Sequence, residues 1–296
     1  MYIVAGATGN TGSVVADSLL EQRKPVTVIV RSEEKGKPWA AKGAKIALGT
    51  LEDGQTLAQI LQGANGAYIL TPPNIHAVDF GEERQKLMQS IARAVKDSGI
   101  EHVVLLSSIG AQHASGTGLI LGSHIAESAL GPAAKNLTVI RAGFFLENWG
   151  PVLGAAQANG VLPTLLAPDR KISMLATQDI GRVAAESLLN PARGRRIIEL
   201  AGPRDYSPED IASVLSSLLN RDVRVQSLPP GGGAQMFKSF GATDEVARLF
   251  EEIYTGVNSG RVAYEGGGAE FRRGSVSAQE ALAGMLRQTG EMQAGA

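Results

Sequence analysis

The chain of 296 residues contains no cysteine. Disulfides, thiolate metal ligands and thiol nucleophiles are therefore excluded together, as in an enzyme of a reducing compartment. Charge of neither sign dominates: 28 Lys and Arg stand against 29 Asp and Glu, for a formal net charge of -1. That balance gives no general footprint for nucleic acid or anionic lipid. No run of eighteen uncharged apolar residues occurs, so no membrane span is expected. The first strand begins near Tyr2, which leaves no room for the basic and apolar parts of a secretory leader. A cytoplasmic protein, monomeric or homodimeric, is the expectation. The four histidines (His76, His102, His113 and His124) share no metal-ligand spacing, and no G-x-S-x-G elbow is present. Neither a metal site nor a serine hydrolase is expected.

An apolar content of 44% allows a large core in one body, or in a main domain carrying a smaller lobe. Short β-branched runs alternate with amphipathic segments through the first half. This is the pattern of a parallel sheet covered on both faces, an α/β fold. Strands are expected at 2–5, 26–30, 45–48, 67–70, 102–106 and 137–141. Helices are expected near 11–22, 54–62, 80–98 and 118–130. Leu57, Ile60 and Leu61 form one helical stripe that Gly63 ends.

After Arg141 the order loosens. A-G-F-F-L-E-N-W-G-P marks a boundary or cleft edge, with a helix near 150–158 beyond it. A strand at 171–175, a helix at 178–189 and a strand at 197–200 follow. In Y-S-P-E-D, Ser207 reads as an N-cap, with Pro208 at the first helical position and Asp210 at the third. P-P-G-G-G-A at 229–234 and E-G-G-G-A-E at 265–270 read as punctuated loops of a smaller lobe. The expected division is residues 1–150 as the main domain, with about 171–200 returning to it, and 151–296 as mainly a smaller lobe.

The opening M-Y-I-V-A-G-A-T-G-N-T-G places Gly6, Gly9 and Gly12 between the first strand and the first helix. Missing β-carbons there permit a tight turn and let backbone N–H groups approach a diphosphate at the helix N-terminus. Nineteen residues beyond Gly12, the second strand ends at Arg31, where an acidic residue would bind the ribose 2′-hydroxyl of NAD. A guanidinium at that place suits a 2′-phosphate, which favours NADP(H) over NAD(H). Glu33 and Glu34 are close enough in sequence to pair with it instead.

Further candidates lie at later strand ends. In Y-I-L-T-P-P-N, Thr71 and Pro72 open a stiff loop that serves either as a wall beside the cofactor or as a connector. Ser107 and Ser108 end the fifth strand, where a hydroxyl can orient a bound group or cap a turn. Aromatics are only 5% of the chain, so the grouping of Phe144, Phe145 and Trp149 beside Asn148 stands out as a wall for a planar substrate; core packing also accounts for two of these rings. His124 is either a proton source facing the cleft or a polar helix residue.

G-A-T-G-N-T-G, V-I-V-R, L-T-V-I-R-A-G-F-F-L-E-N-W and I-S-M-L-A-T-Q-D-I-G-R-V-A-A resemble the NmrA-like branch of atypical short-chain dehydrogenase/reductases. G-S-H-I-A-E, with F-F-L-E-N-W, looks similar to its bacterial NAD(P)H quinone oxidoreductase and triphenylmethane reductase members. The resemblance implies a Rossmann domain with a smaller C-terminal α/β lobe and a substrate cleft between them. It gives the diphosphate role to Gly6, Thr8, Gly9, Asn10, Thr11 and Gly12, the 2′-phosphate role to Arg31, and a cleft role to His124 and Asn148.

The superfamily's Tyr-x-x-x-Lys pair is missing. No tyrosine has Lys four residues later, and Ile120 and His124 stand near the expected positions. A conjugated small-molecule acceptor, which spreads the incoming charge itself, is therefore expected in place of a simple ketone. A dinucleotide-responsive regulator with a protein partner and little turnover is the other reading the resemblance allows.

Overall fold

The computed structural model describes residues 1–229 and 231–294. Its main sheet has eight strands in the order β13-β10-β6-β5-β4-β1-β2-β3. These are β1 (Tyr2–Val4), β2 (Val26–Val30), β3 (Lys45–Leu48), β4 (Gly66–Ile69), β5 (His102–Ser108), β6 (Asn136–Ala142), β10 (Arg195–Ala201) and β13 (Glu270–Arg273). Every neighbouring pair in it is parallel. The chain builds outward from β1 through β2 to β3, then crosses back to β4 and continues the other way. The expected doubly wound fold is present, and the switch of direction falls between β1 and β4.

Helices α1 (Asn10–Glu21) and α7 (Thr177–Leu189) cover one face of the sheet, and α3 (Gly54–Leu61), α4 (Phe80–Ser98) and α5 (Leu121–Leu130) cover the other. Val15, Leu19, Ala184 and Leu188 close the first core, and Leu57, Leu61, Met88, Ile91 and Leu130 the second, all almost wholly removed from water. Burial of this kind is the main term holding the layers together, roughly 1.5–3 kcal/mol for each large aliphatic side chain. Asp53 caps α3 through the Thr56 N–H, and Asp79 caps α4, which Gly99 ends in the left-handed conformation.

The short helix α2 (Glu33–Ala41) lies where no element was expected. Gly36 and Pro38 are poor helix formers, yet tertiary packing overrides their local preference. Trp39 is buried in the first core, and a β-carbon at Gly36 would strike Ile46 at 2.8 Å, so the glycine lets the helix lie close against β3.

The second region holds β7 (Phe144–Phe145), α6 (Leu153–Asn159), β8 (Val161–Thr164), β9 (Ile172–Leu175), β11 (Asp205–Tyr206), α8 (Pro208–Leu219), β12 (Arg224–Ser227), α9 (Gly232–Ser239), α10 (Asp244–Ser259) and α11 (Ala278–Ala294). β11, β9 and β7 form one small sheet, and β12 pairs with β8 in another. Ser207 and Asp210 make a reciprocal capping box at α8 with Pro208 in its first turn, as the sequence specified. The loop expected at 229–234 is shorter, because α9 begins at Gly232; Pro230 lies outside the described residues. The helix expected at 118–130 starts as a 3-10 turn at Gly118–Ile120 before α5. Among the described residues, no helix is long and apolar enough to cross a membrane.

Candidate active site

Because the main sheet is parallel, all its carboxyl ends meet at one edge, and the glycine turn opens there at the switch point. Gly6 has φ +66°, and a β-carbon on it would meet Leu70 Cδ2 at 2.6 Å. A β-carbon on Gly12 would sit 2.3 Å from the Gly6 carbonyl oxygen. These two glycines are required by the protein's own packing.

Gly9 is different. Its backbone is extended, and an added β-carbon would meet only the Gly6 carbonyl oxygen, at an ordinary 3.4 Å. Gly9 is also the N-cap of α1, with no side-chain cap and no acidic residue in the first turn. Thr8, Gly9 and Asn10 are exposed. The result is an open helix N-terminus with room for an anion above it, a set of residues that fits a dinucleotide diphosphate. Thr11 is buried, and its hydroxyl accepts a hydrogen bond from Tyr68 Oη at 2.9 Å. Burial pushes the Tyr68 phenol up, so it stays a donor that anchors the turn to β4.

Arg31 follows β2 at the same edge, with 73% of its side chain exposed. Glu34 pairs with Lys37 at 2.6 Å. The acid facing Arg31 is Glu52, at 4.0 Å. An exposed pair at that distance holds the guanidinium only weakly and leaves its donors available.

After β4, Thr71 and Pro72 are held from beneath. Arg84 of α4 donates from Nη1 to the Thr71 carbonyl and from Nη2 to the Pro72 carbonyl, each at 2.9 Å. Its guanidinium lies 5.2 Å from the Phe80 ring centroid, and the residue is only 5% exposed. Sequence reading passed over Arg84 because E-E-R-Q looks like a solvated helix face. The loop is joined from the other side to α10: Thr243 N–H donates to the Ile75 carbonyl, Thr243 Oγ1 donates to the Ala77 carbonyl, and Phe80 N–H donates to Glu245.

Ser107 turns away from the cleft. Its hydroxyl donates to Glu127 Oε1 at 2.6 Å, inside a buried cluster. Glu127 also accepts from Arg141 Nε and Nη2 and from Arg195 Nη2. Arg141 reaches Glu265, while the Glu265 and Gly266 N–H groups donate to buried Glu199. The loop read at 265–270 is thus tied to the ends of β6 and β10. Ser108, one residue on, lines the cleft.

The cleft encloses about 670 Å³ between the sheet edge and α9 and α10. Phe144, Phe145, Asn148 and Trp149 all line it. Phe144 lies 6.2 Å from Trp149 and 6.2 Å from Tyr254, ring to ring. Tyr254 continues to Phe237 at 6.2 Å, and Phe237 stacks on Phe250 at 4.2 Å. These last three rings were missed in sequence because Phe237 stands on α9 while Phe250 and Tyr254 stand one turn apart on α10, far in the chain from Phe144 and Trp149. His124 is half-buried on α5 and does not line the cleft, although its neighbours Gly122 and Ser123 do. Its Nδ1 lies 2.9 Å from the Ala111 carbonyl oxygen, an acceptor only, so Nδ1 carries the proton.

The model of the NmrA-like family matches residues 2–258. An NAD(P)H azoreductase from Xenophilus azovorans is 26% identical over 256 residues, 86% of either chain. Quinone oxidoreductase 2 from Escherichia coli (strain K12) is 25% identical over 264 residues, 88% of this chain and 89% of that one. The solved NADPH-dependent quinone oxidoreductase from Escherichia coli complexed with NADPH superposes with a TM-score of 0.79 at 24% identity, covering 97% of this chain and all of that one. The Citrobacter sp. triphenylmethane reductase complexed with NADP(H) gives 0.78 at 17% identity, covering 97% and 99%. With the fold, the glycine turn and the family model in agreement over most of its length, this chain belongs to the NmrA-like family.

Proposed function

We propose that this protein is an NADPH-dependent reductase that passes hydride to a quinone or a similarly conjugated small molecule in the cytoplasm. The observation that carries the reading is the juxtaposition of an open, uncapped helix N-terminus at Gly9 with an aromatic-lined cleft at the same sheet edge. The names of the relatives, an azoreductase and a quinone oxidoreductase, support the same chemistry.

Gly6 to Gly12 would hold the diphosphate, with Thr8 and Asn10 at its rim, and Arg31 would pair with the 2′-phosphate. The loop at Thr71 and Pro72 would flank the nicotinamide end. NADPH, when bound, supplies the hydride. The chain's own part is to bind, orient and keep water out. Phe144, Trp149 and the α9–α10 rings offer flat apolar surfaces to a planar acceptor, which lowers the entropic cost of bringing it into line. Asn148 offers an amide donor and acceptor at the exposed side of the cleft. His124 acts through the Ala111 segment it holds, as a positioning residue. The absence of Tyr-x-x-x-Lys matters less for an acceptor that delocalises the incoming charge.

Steady-state oxidation of NADPH across quinones, azo and triphenylmethane dyes and simple ketones tests the reading. Turnover of the conjugated acceptors with little of the ketones is expected. Saturable NADPH binding without turnover of any acceptor overturns it in favour of a cofactor-responsive regulator.

A further inference from the structure

Many polar side chains of the cleft wall are already engaged by the protein itself. Ser173 Oγ accepts from the Gly202 N–H, and Thr164 Oγ1 accepts from the Leu166 N–H. Ser108 Oγ donates to the Ile109 carbonyl, and Tyr264 Oη donates to the Leu200 carbonyl. The carboxylate of Glu147 takes the N–H and hydroxyl of Thr177, and Arg84 is spent on the Thr71 and Pro72 carbonyls.

The hydroxyl of Tyr254 is left over: it has no partner among the described residues. The hydroxyls of Thr71 and Ser123, the Asn148 amide, the buried Trp149 Nε1 and the exposed Arg170 and Lys171 are also unpartnered, but Tyr254 differs from them in being a phenol held between two rings of the cleft. Its ring is fixed edge-on by Phe144, at 6.2 Å and 65°, and from its other neighbour Phe237 by a near-parallel contact at 6.2 Å and 27°. An unpaired phenol set among rings in an apolar cleft lacks only a ligand acceptor.

We propose that the Tyr254 hydroxyl donates a hydrogen bond to the carbonyl oxygen of the acceptor, supplying from α10 the phenol that the usual position, occupied by Ile120, lacks. This rests on the reductase reading above. Burial pushes the Tyr254 phenol up to about 12, so it remains a protonated donor at neutral pH. As hydride brings its electron pair from NADPH to the quinone, negative charge gathers on the carbonyl oxygen, and Tyr254 stabilises it there. The hydroquinone anion then takes its proton from water, leaving NADP⁺ and hydroquinone. The donor keeps its own proton throughout.

Tyr254→Phe retains the ring contacts and removes only the hydroxyl. With a quinone, kcat should fall on the order of 100-fold, the scale seen when one donor to a developing oxyanion is lost. With a cationic triphenylmethane dye, whose carbon accepts hydride without forming an oxyanion, kcat should change by less than roughly threefold for want of any such charge to stabilise. NADPH affinity should be unchanged, which also reports a folded cofactor site. Across quinones of rising reduction potential the loss should shrink, because the oxyanion needs less help. Equal losses on quinone and dye, a uniform loss across quinones, or no loss on quinones overturns the proposal while leaving the reductase reading in place. Failure of the wild-type protein to oxidise NADPH with any acceptor overturns that reading and takes this proposal with it.

Discussion

Gly12 lies so close under Gly6 that a β-carbon on it would stand 2.3 Å from the Gly6 carbonyl oxygen, whereas Gly9, in the same turn, has no such constraint. The two substitutions should therefore separate folding from binding. Gly12→Ala forces the backbone apart and should cost about 1–3 kcal/mol of stability, the range for overpacking. Gly9→Ala should cost no more than about 1 kcal/mol in urea unfolding, the loss of an N-cap preference with no steric clash, yet weaken NADPH and NADH alike by crowding the diphosphate. Equal cofactor affinity in Gly9→Ala and parent would show that the diphosphate lies elsewhere.

Arg31 is exposed and only loosely paired with Glu52, so its replacement has little to disturb in the protein itself. Arg31→Ala should weaken NADPH more than NADH by roughly 1–3 kcal/mol, the loss of a charge-assisted contact to the 2′-phosphate, with melting unchanged. Parallel weakening of the two coenzymes, read by fluorescence titration, would remove Arg31 from the phosphate site.

The buried fork of Arg84 on two successive carbonyls predicts that Lys is a poor substitute. Arg84→Lys reaches one carbonyl at a time and leaves the other without its donor, a penalty of about 1–3 kcal/mol. The Thr71–Asp79 segment should become the first site of limited proteolysis, and the KM for the acceptor should rise. Parent-like proteolysis of Arg84→Lys would show that the loop holds its shape without the fork.

His102, at the start of β5, sets an acid limit on stability. Burial, assisted by the nearby positive charge of Arg196, lowers its pKa from 6.5 to about 4. The folded state thus excludes a proton that the unfolded chain accepts. The stabilisation is complete above pH 6.5 and disappears as pH falls toward 4, with a total on the order of 3 kcal/mol from a shift of this size. Unfolding free energy measured at pH 7.5 and pH 5 should differ less in His102→Gln than in the parent. An unchanged difference would assign the acid loss to other groups.

Local sequence carried the parts of this protein that depend on neighbours in the chain. The alternation of β-branched runs with helical stripes specified the parallel sheet. Three glycines at a spacing of three between the first strand and helix marked the tight turn at the sheet's switch point, and Ser207 with Asp210 specified a helix start that the structure reproduces. Each rests on short-range geometry: period, φ freedom or a cap three residues away. Where burial competed with local preference, as at Gly36 and Pro38 in α2, burial prevailed, and no local signal marked the helix.

The opposite holds for the wall of the cleft. Phe144 and Tyr254 are 110 positions apart and meet at 6.2 Å only because α10 folds back over the sheet edge. Arg84 reads as a surface residue until α4 turns it under Thr71 and Pro72, and Ser107 faces Glu127 where a strand-end hydroxyl could equally have faced a ligand. Which side of a strand or helix a group presents, and what distant segment meets it there, is set by long-range packing. The sequence by itself determined the sheet and the turn that would take a dinucleotide, because those are encoded by residues within one helical turn or strand of each other. The tertiary structure alone decided which side chains share the cavity, because their contacts join segments that have no local reason to be near.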